Sequence, residues 1–169
     1  MNSLSNISCE AVLPVTELKS TDEIERSIQK KYRKYLWSPF IKAAKEFSLV
    51  EDGDRIAVAI SGGKDSLLLA KLLQELQRAS RTEFELVFIS MNPGFNSENL
   101  ENLKKNLDHL RIPCEIYEDN IFEIAEKMAK DYPCYMCAKM RRGSLYTKAV
   151  SLGCNKLALG HHMDDVAET

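Results

Sequence analysis

The stretch AVAISGGKDSLLLAKLL, Ala57 to Leu73, sets two glycines, two serines, a lysine and an aspartate between two apolar runs. The first run reads as a strand over Ile56 to Ile60. The second carries helical spacing over Ser66 to Ala79. In a parallel α/β sheet, a loop leaving a strand for a helix meets leading N–H groups that have no backbone partners, and this makes it an anion site. Gly62 and Gly63 allow positive φ and close approach of a ligand, while Ser61 and Ser66 bring hydroxyl donors. The spacing matches neither a GxxxxGK[ST] phosphate loop nor a GxGxxG dinucleotide fingerprint. A carboxylate at Asp65 would repel phosphate, so it implies either a divalent cation between them, with magnesium the natural choice, or a capping role on the helix.

Outward from this turn, β-type runs at Glu85 to Ser90, Pro113 to Tyr117 and Lys156 to Leu159 alternate with helical runs at Ser97 to Leu110, Ile121 to Ala129 and Ala138 to Leu152. Such alternation predicts an α/β fold, a doubly wound parallel sheet covered on both faces. Residues 1–20 are polar and aperiodic and read as a disordered tail. Residues 21–50 read as a helical region in which Thr21 serves as N-cap, with a break near Pro39 and an end before Gly53. Between Arg26 and Lys45 lie seven Lys or Arg and no acid, interleaved with Tyr32, Tyr35, Trp37 and Phe40. A solvated helix face and an RNA-facing surface both fit.

Composition bounds the rest. The 169 residues suit one domain, and a formal net charge of −2 gives no global attraction to a polyanion, so any such site is local. The sequence has no long apolar span and no signal-peptide pattern, so a cytoplasmic protein without membrane contact is expected. Five cysteines with no export signal argue against a disulfide framework.

Cys134 and Cys137 stand at CxxC spacing where a loop enters a helix, a position that favours thiolate. A redox pair, a zinc site and an iron-sulfur cluster are all open on spacing alone. Cys114, Cys154 and Cys9 read as buried or incidental thiols, and His109 as a helix-surface residue. ALGHHMDD follows the fourth strand and so emerges at the same sheet edge as the glycine turn. Asp164 and Asp165 there suit magnesium, substrate or helix capping, with His161 or His162 as donor or proton carrier. Arg141 and Arg142 suit phosphate oxygens, and Asn92 and Phe95 are candidates for the nucleoside pocket. The helix that GHHMDDVAET opens does not finish by Thr169, so the chain reads as C-terminally truncated.

SGGKDS resembles the SGGxDS signature of the PP-loop ATP pyrophosphatases, whose fold is of the adenine nucleotide alpha-hydrolase type. PCYMCAKMRRGSLY followed by LGCNKLALGHHMDDVAET is similar to the tRNA 2-thiocytidine synthetase (TtcA) family within that group, and the likeness runs from about Thr21 to the end. The resemblance makes residues 51–169 an incomplete PP-loop domain in which Ser61, Gly62, Gly63, Lys64, Asp65, Ser66 and His161 hold ATP and Mg2+, with Asp65, Arg141, Asp164 and Asp165 in catalysis. It also implies a [4Fe-4S] cluster on three cysteines, two of them Cys134 and Cys137. The third lies beyond Thr169 in the family pattern. The activity implied is ATP-dependent tRNA thiolation: adenylation of an anticodon-loop cytidine at position 32, then sulfur transfer to give 2-thiocytidine. A uridine thiolase and a non-catalytic ATP-binding module are the alternatives. Expected partners are tRNA, a sulfur donor such as a cysteine desulfurase, and a second copy in a homodimer.

Overall fold

The computed structural model describes residues 18–92, 96–119 and 133–161, with side chains in the last stretch from Met140 onward. Its elements run α1 (Thr21–Gln29), a π-helical turn (Arg33–Trp37), α2 (Ser38–Glu46), β1 (Arg55–Ala59), α3 (Lys64–Ala79), β2 (Glu85–Asn92), α4 (Ser97–His109), β3 (Cys114–Glu118), α5 (Pro133–Ser151) and β4 (Lys156–Ala158). The expected helix at Ile121 to Ala129 lies outside the described residues, as does the tail before Leu18.

The strands form a parallel sheet in the order β3-β2-β1-β4. Period-two alternation sends the two sides of β1 to different layers. Ile56, Val58 and Ile60 join Ala70 and Leu73 of α3 and Leu103 and Leu107 of α4, together with Phe88, in the larger core cluster. Ala57 faces the other way and packs with Ile89 and with Ala149 of α5. Helices therefore cover both faces, as the alternation predicts. Among the described residues, no helix is long and apolar enough to cross a membrane.

The helical extension packs on α3 through Ile28, Trp37 and Leu72. Its start differs from expectation. Ser20, not Thr21, is the N-cap: the Glu23 N–H donates to Ser20 Oγ (3.3 Å) and the Ser20 N–H to the Glu23 carboxylate (3.0 Å), a reciprocal capping box. Thr21 is buried, with its hydroxyl donating to the His109 carbonyl. His109 is half-buried at the end of α4, and its Nε2 donates to the Lys19 carbonyl (2.9 Å). The break lies near Pro39 as expected, in the turn just before it. Pro39 sits in the first turn of α2, where a missing N–H breaks no bond, and the irregular backbone is the wide turn before it. Trp37 and Phe40 stack in the core (centroids 6.3 Å apart) and are not part of an exposed aromatic face.

Candidate functional site

From β1 the chain moves to β2 and then β3 on one side, and β4 returns to pair with β1 on the other. The carboxyl ends of β1 and β4 therefore flank a topological switch point, the place where open α/β sheets bind ligands. Ser61–Gly63 leaves β1 there, and Gly160–His161 leaves β4 beside it.

Gly62 has φ +86°, a conformation that a side chain disfavours. Gly63 is the N-cap of α3 and supplies no side-chain cap, whereas α1 and α4 are capped by Ser20 and Asn96. The first amides of α3 are thus left to the loop and to whatever it binds. Ser66 departs from its expected role as an outward donor. It is buried, its Oγ donates to the Gly63 carbonyl (2.9 Å) and accepts from the Ser61 N–H (3.2 Å), and Ser61 Oγ lies 3.1 Å away. Ser66 shapes the turn from beneath. Asp65 is half-buried in the first turn of α3, and both its oxygens accept from the exposed Lys64 Nζ at 2.8 Å.

Two supports escaped the sequence reading. Ser90, fully buried on β2, donates to the Ile60 carbonyl (2.8 Å) and fixes the root of the loop. Its signal was a lone hydroxyl in the apolar run LVFISM. Gly160 was read only as part of the GHH run, yet a Cβ there would fall 2.9 Å from both the Cα and the N of Ser66 and 3.1 Å from the Asp65 carbonyl carbon. The end of β4 is therefore pressed against the first turn of α3 by backbone alone. His161, next in sequence, is exposed.

Because α5 leads into a parallel strand, its start lies at the same carboxyl edge. Cys134 and Cys137 occupy that start on helical backbone, which begins at Pro133 rather than at the expected Ala138. The helix is held against the sheet by Ala149 in the core, by a Lys148–Glu115 pair (2.6 Å), and by Ser144, which bonds to Asp119 and to the Tyr117 hydroxyl (3.2 Å). Arg141 is half-buried on it and Arg142 exposed. Asn92 is buried at the carboxyl end of β2. Phe95, His162, Asp164, Asp165 and Cys9 lie outside the described residues.

Among the described residues the other two cysteines, Cys114 and Cys154, do not present themselves as a third thiolate. Burial, assisted by the Glu115 charge, pushes the Cys114 thiol up to about 12, which keeps it protonated. Cys154 packs with the Ala57–Ile89–Ala149 cluster. Among the described residues no group of three His, Cys, Asp or Glu is placed to hold a metal ion.

A glycine-capped helix at the switch point of a parallel sheet, opposite a second glycine that brings another strand's end against it, places this chain among the open parallel α/β domains whose ligand sites lie at that edge. The chain belongs to the PP-loop family: residues 23–169 match the PP-loop domain. It is 42% identical over 130 residues to the tRNA-cytidine(32) 2-sulfurtransferase of Pelobacter propionicus, covering 76% of this chain and 48% of that protein. It is 41% identical over 145 residues to the protein of the same description from Geobacter metallireducens, covering 83% and 55%. Among solved structures it is similar to the U34-tRNA thiolase NcsA from Methanococcus maripaludis with its [4Fe-4S] cluster, at a TM-score of 0.59 and 29% identity over 79% of this chain and 50% of that one. The chain spans about half the length of the curated relatives it matches.

Proposed function

We propose that this chain is the ATP-activating part of a tRNA-cytidine 2-sulfurtransferase. The observation that carries the reading is the Ser61–Ser66 turn at the sheet's switch point, with its left-handed Gly62 and glycine-capped helix. Relatives at about 40% identity that act on cytidine favour that base over uridine.

In this reading the α3 amides and Lys64 hold the β- and γ-phosphates of ATP, and Asp65 would hold a Mg2+ ion that offsets their charge. The base carbonyl oxygen attacks the α-phosphorus, the bond to the bridging oxygen breaks, and pyrophosphate leaves with its charge stabilised by fixed dipoles and the cation. Asp164, Asp165 and His161, following β4, are assigned to magnesium and to the substrate, and Arg141 to the phosphates. Cys134 and Cys137 are assigned as two ligands of a [4Fe-4S] cluster, with the third donor from outside the described residues. When bound, the cluster would supply the sulfur atom that bonds to the base carbon, while the C–O bond breaks and the activated oxygen leaves with AMP. A sulfur donor such as a cysteine desulfurase is the remaining partner.

The two halves of the chemistry separate by mutation. Pyrophosphate release in the presence of tRNA and ATP is expected to fall about 10²- to 10³-fold in Asp65→Asn, the range for losing one charge-stabilising group. Cys134→Ala and Cys137→Ala are expected to keep release but abolish thionucleoside formation. Nucleoside mass spectrometry of tRNA from cells lacking the gene checks the base: loss of 2-thiocytidine is expected. Loss of 2-thiouridine alone rejects the cytidine assignment.

A further inference from the structure

The six residues Lys30–Tyr35, KKYRKY, are all exposed, and they include four cations and no acid. Neutralisation would have to come from neighbours, and the neighbours are engaged elsewhere. Of the acids of α1, Asp22 pairs with Arg111 (2.7 Å), Glu23 closes the capping box with Ser20, and Glu25 pairs with Lys71 (2.5 Å) and Arg78 (2.9 Å). Among the described residues no carboxylate pairs with Lys30, Lys31, Arg33 or Lys34. On the sheet domain several cations, Arg55, Lys105, Lys148 and Lys156, do meet a carboxylate.

The backbone beneath this segment departs from the α-helix. The Tyr32 N–H bonds to the Ser27 carbonyl (2.8 Å), the Trp37 N–H reaches the Tyr32 carbonyl (3.4 Å), and the Ser38 N–H bonds to the Arg33 carbonyl, all five residues back. Wide turns of this kind cluster at functional sites. Here the turn keeps Trp37 in the core beside Ile28 and Leu72 while Tyr32 and Tyr35 face solvent, Tyr35 with 77% of its surface exposed. Lys31 lies over the Tyr32 ring (5.3 Å) and Lys34 over the Tyr35 ring (5.4 Å), within cation–π range.

We propose that Lys30–Tyr35 is an RNA-docking surface, on which Lys30, Lys31, Arg33 and Lys34 contact phosphates and Tyr35 offers a stacking platform to an unpaired base. This rests on the tRNA reading above and names the surface that reading requires. Clustered unpaired cations release counterions from a polyanion, and exposed aromatic rings stack on bases of any sequence. An acidic protein surface would use the charges but has little need of the ring.

The test is tRNA binding measured against salt concentration, with unfractionated tRNA as probe. Replacing Lys30, Lys31, Arg33 and Lys34 by Gln is expected to reduce the slope of log affinity against log salt by about 3, given roughly 0.7 to 0.9 per phosphate contact. Replacing the three lysines by Arg should preserve the slope. Tyr35→Ala is expected to weaken binding about tenfold, the scale of one stacked base. Melting temperatures should not change, since these side chains are exposed. If the unaltered protein binds tRNA and the Gln variant binds it with the same slope, the inference is overturned while the tRNA reading stands, and the surface belongs to an acidic protein partner. If the unaltered protein does not bind tRNA at low salt, both fall.

Discussion

Gly160→Ala is expected to cost about 1–3 kcal/mol of stability, the range for overpacking, and to reduce pyrophosphate release about 10²-fold. The reason is the contact between β4 and α3. A new Cβ would lie 2.9 Å from the Ser66 Cα and N, well inside van der Waals separation, and the obstacle is backbone that cannot rotate away. Either β4 withdraws from its register with β1, in which Val58 pairs with Ala158, or the first turn of α3 moves. The second outcome displaces the amides proposed to hold the phosphates, and a misplacement of about 1 Å at a reacting centre is worth about 10²-fold in rate. Gly143→Ala is the matched control. Gly143 lies inside α5 with nothing within 4 Å of an added Cβ, so it should gain up to about 1 kcal/mol from helix propensity. Calorimetry with ATP and a thermal melt distinguish the two variants. Unchanged nucleotide affinity in Gly160→Ala would remove the close approach from the explanation of the site.

The Gly160 contact also marks the boundary of what the sequence discloses. Period-two alternation in IAVAI and 3.6-residue spacing in α3 and α4 are local signals, and they placed the strands within a residue or two and predicted the parallel, two-faced sheet. The SGGKDS turn was legible for the same reason, since its residue types are dictated by backbone conformation within the motif. Tertiary pairings were not. That Ser66 turns inward depends on Ser61 and Gly63 closing around it. Thr21 makes an acceptable N-cap by type, and only the reciprocal bonds of Ser20 with Glu23 and the demand of the His109 carbonyl for a donor assign it otherwise. The interleaved aromatics of residues 26–45 read as one set, but a wide turn divides them, with Trp37 and Phe40 inward and Tyr32 and Tyr35 outward. The largest omission was Lys71. Its spacing in LLLAKLLQEL puts it on the apolar face of α3, and nothing local to that run indicates that its partner lies 46 residues away on α1.

Lys71→Met is expected to lower stability by about 3–5 kcal/mol, as removal of one member of a buried ion cluster does, and so to lower the melting temperature by about 10 °C for a chain of this length. Lys71 is 2% exposed, and its Nζ donates to Glu25 (2.5 Å), Gln74 (2.8 Å) and the Leu110 carbonyl (3.0 Å), tying α1, α3 and the end of α4 together. Arg78 bridges Glu25 and the buried Glu75 from the solvent side, giving two cations against two carboxylates. Removing Lys71 leaves two carboxylates facing one partly exposed guanidinium and the neutral Gln29 amide. Adding Glu25→Gln to Lys71→Met restores the balance at one of each and should return a large part of the loss, which a double-mutant cycle would read as strong coupling. The pH dependence follows from Glu25. Burial favours its neutral form, but the hydrogen bonds from Lys71 and Arg78 outweigh burial and hold the carboxyl below the usual range. Because its folded pKa is depressed, this share of stability is complete above the ordinary glutamate value of about 4.3, and it is lost as pH falls through the folded value. The stability gap between the unaltered protein and Glu25→Gln should therefore be full at neutral pH and close in acid. A gap independent of pH would show that the carboxylate charge contributes nothing to the cluster. The consequence reaches past stability, because α1 carries the Lys30–Tyr35 turn: a protein that loses this anchor should bind tRNA more weakly at temperatures where its sheet domain is still folded.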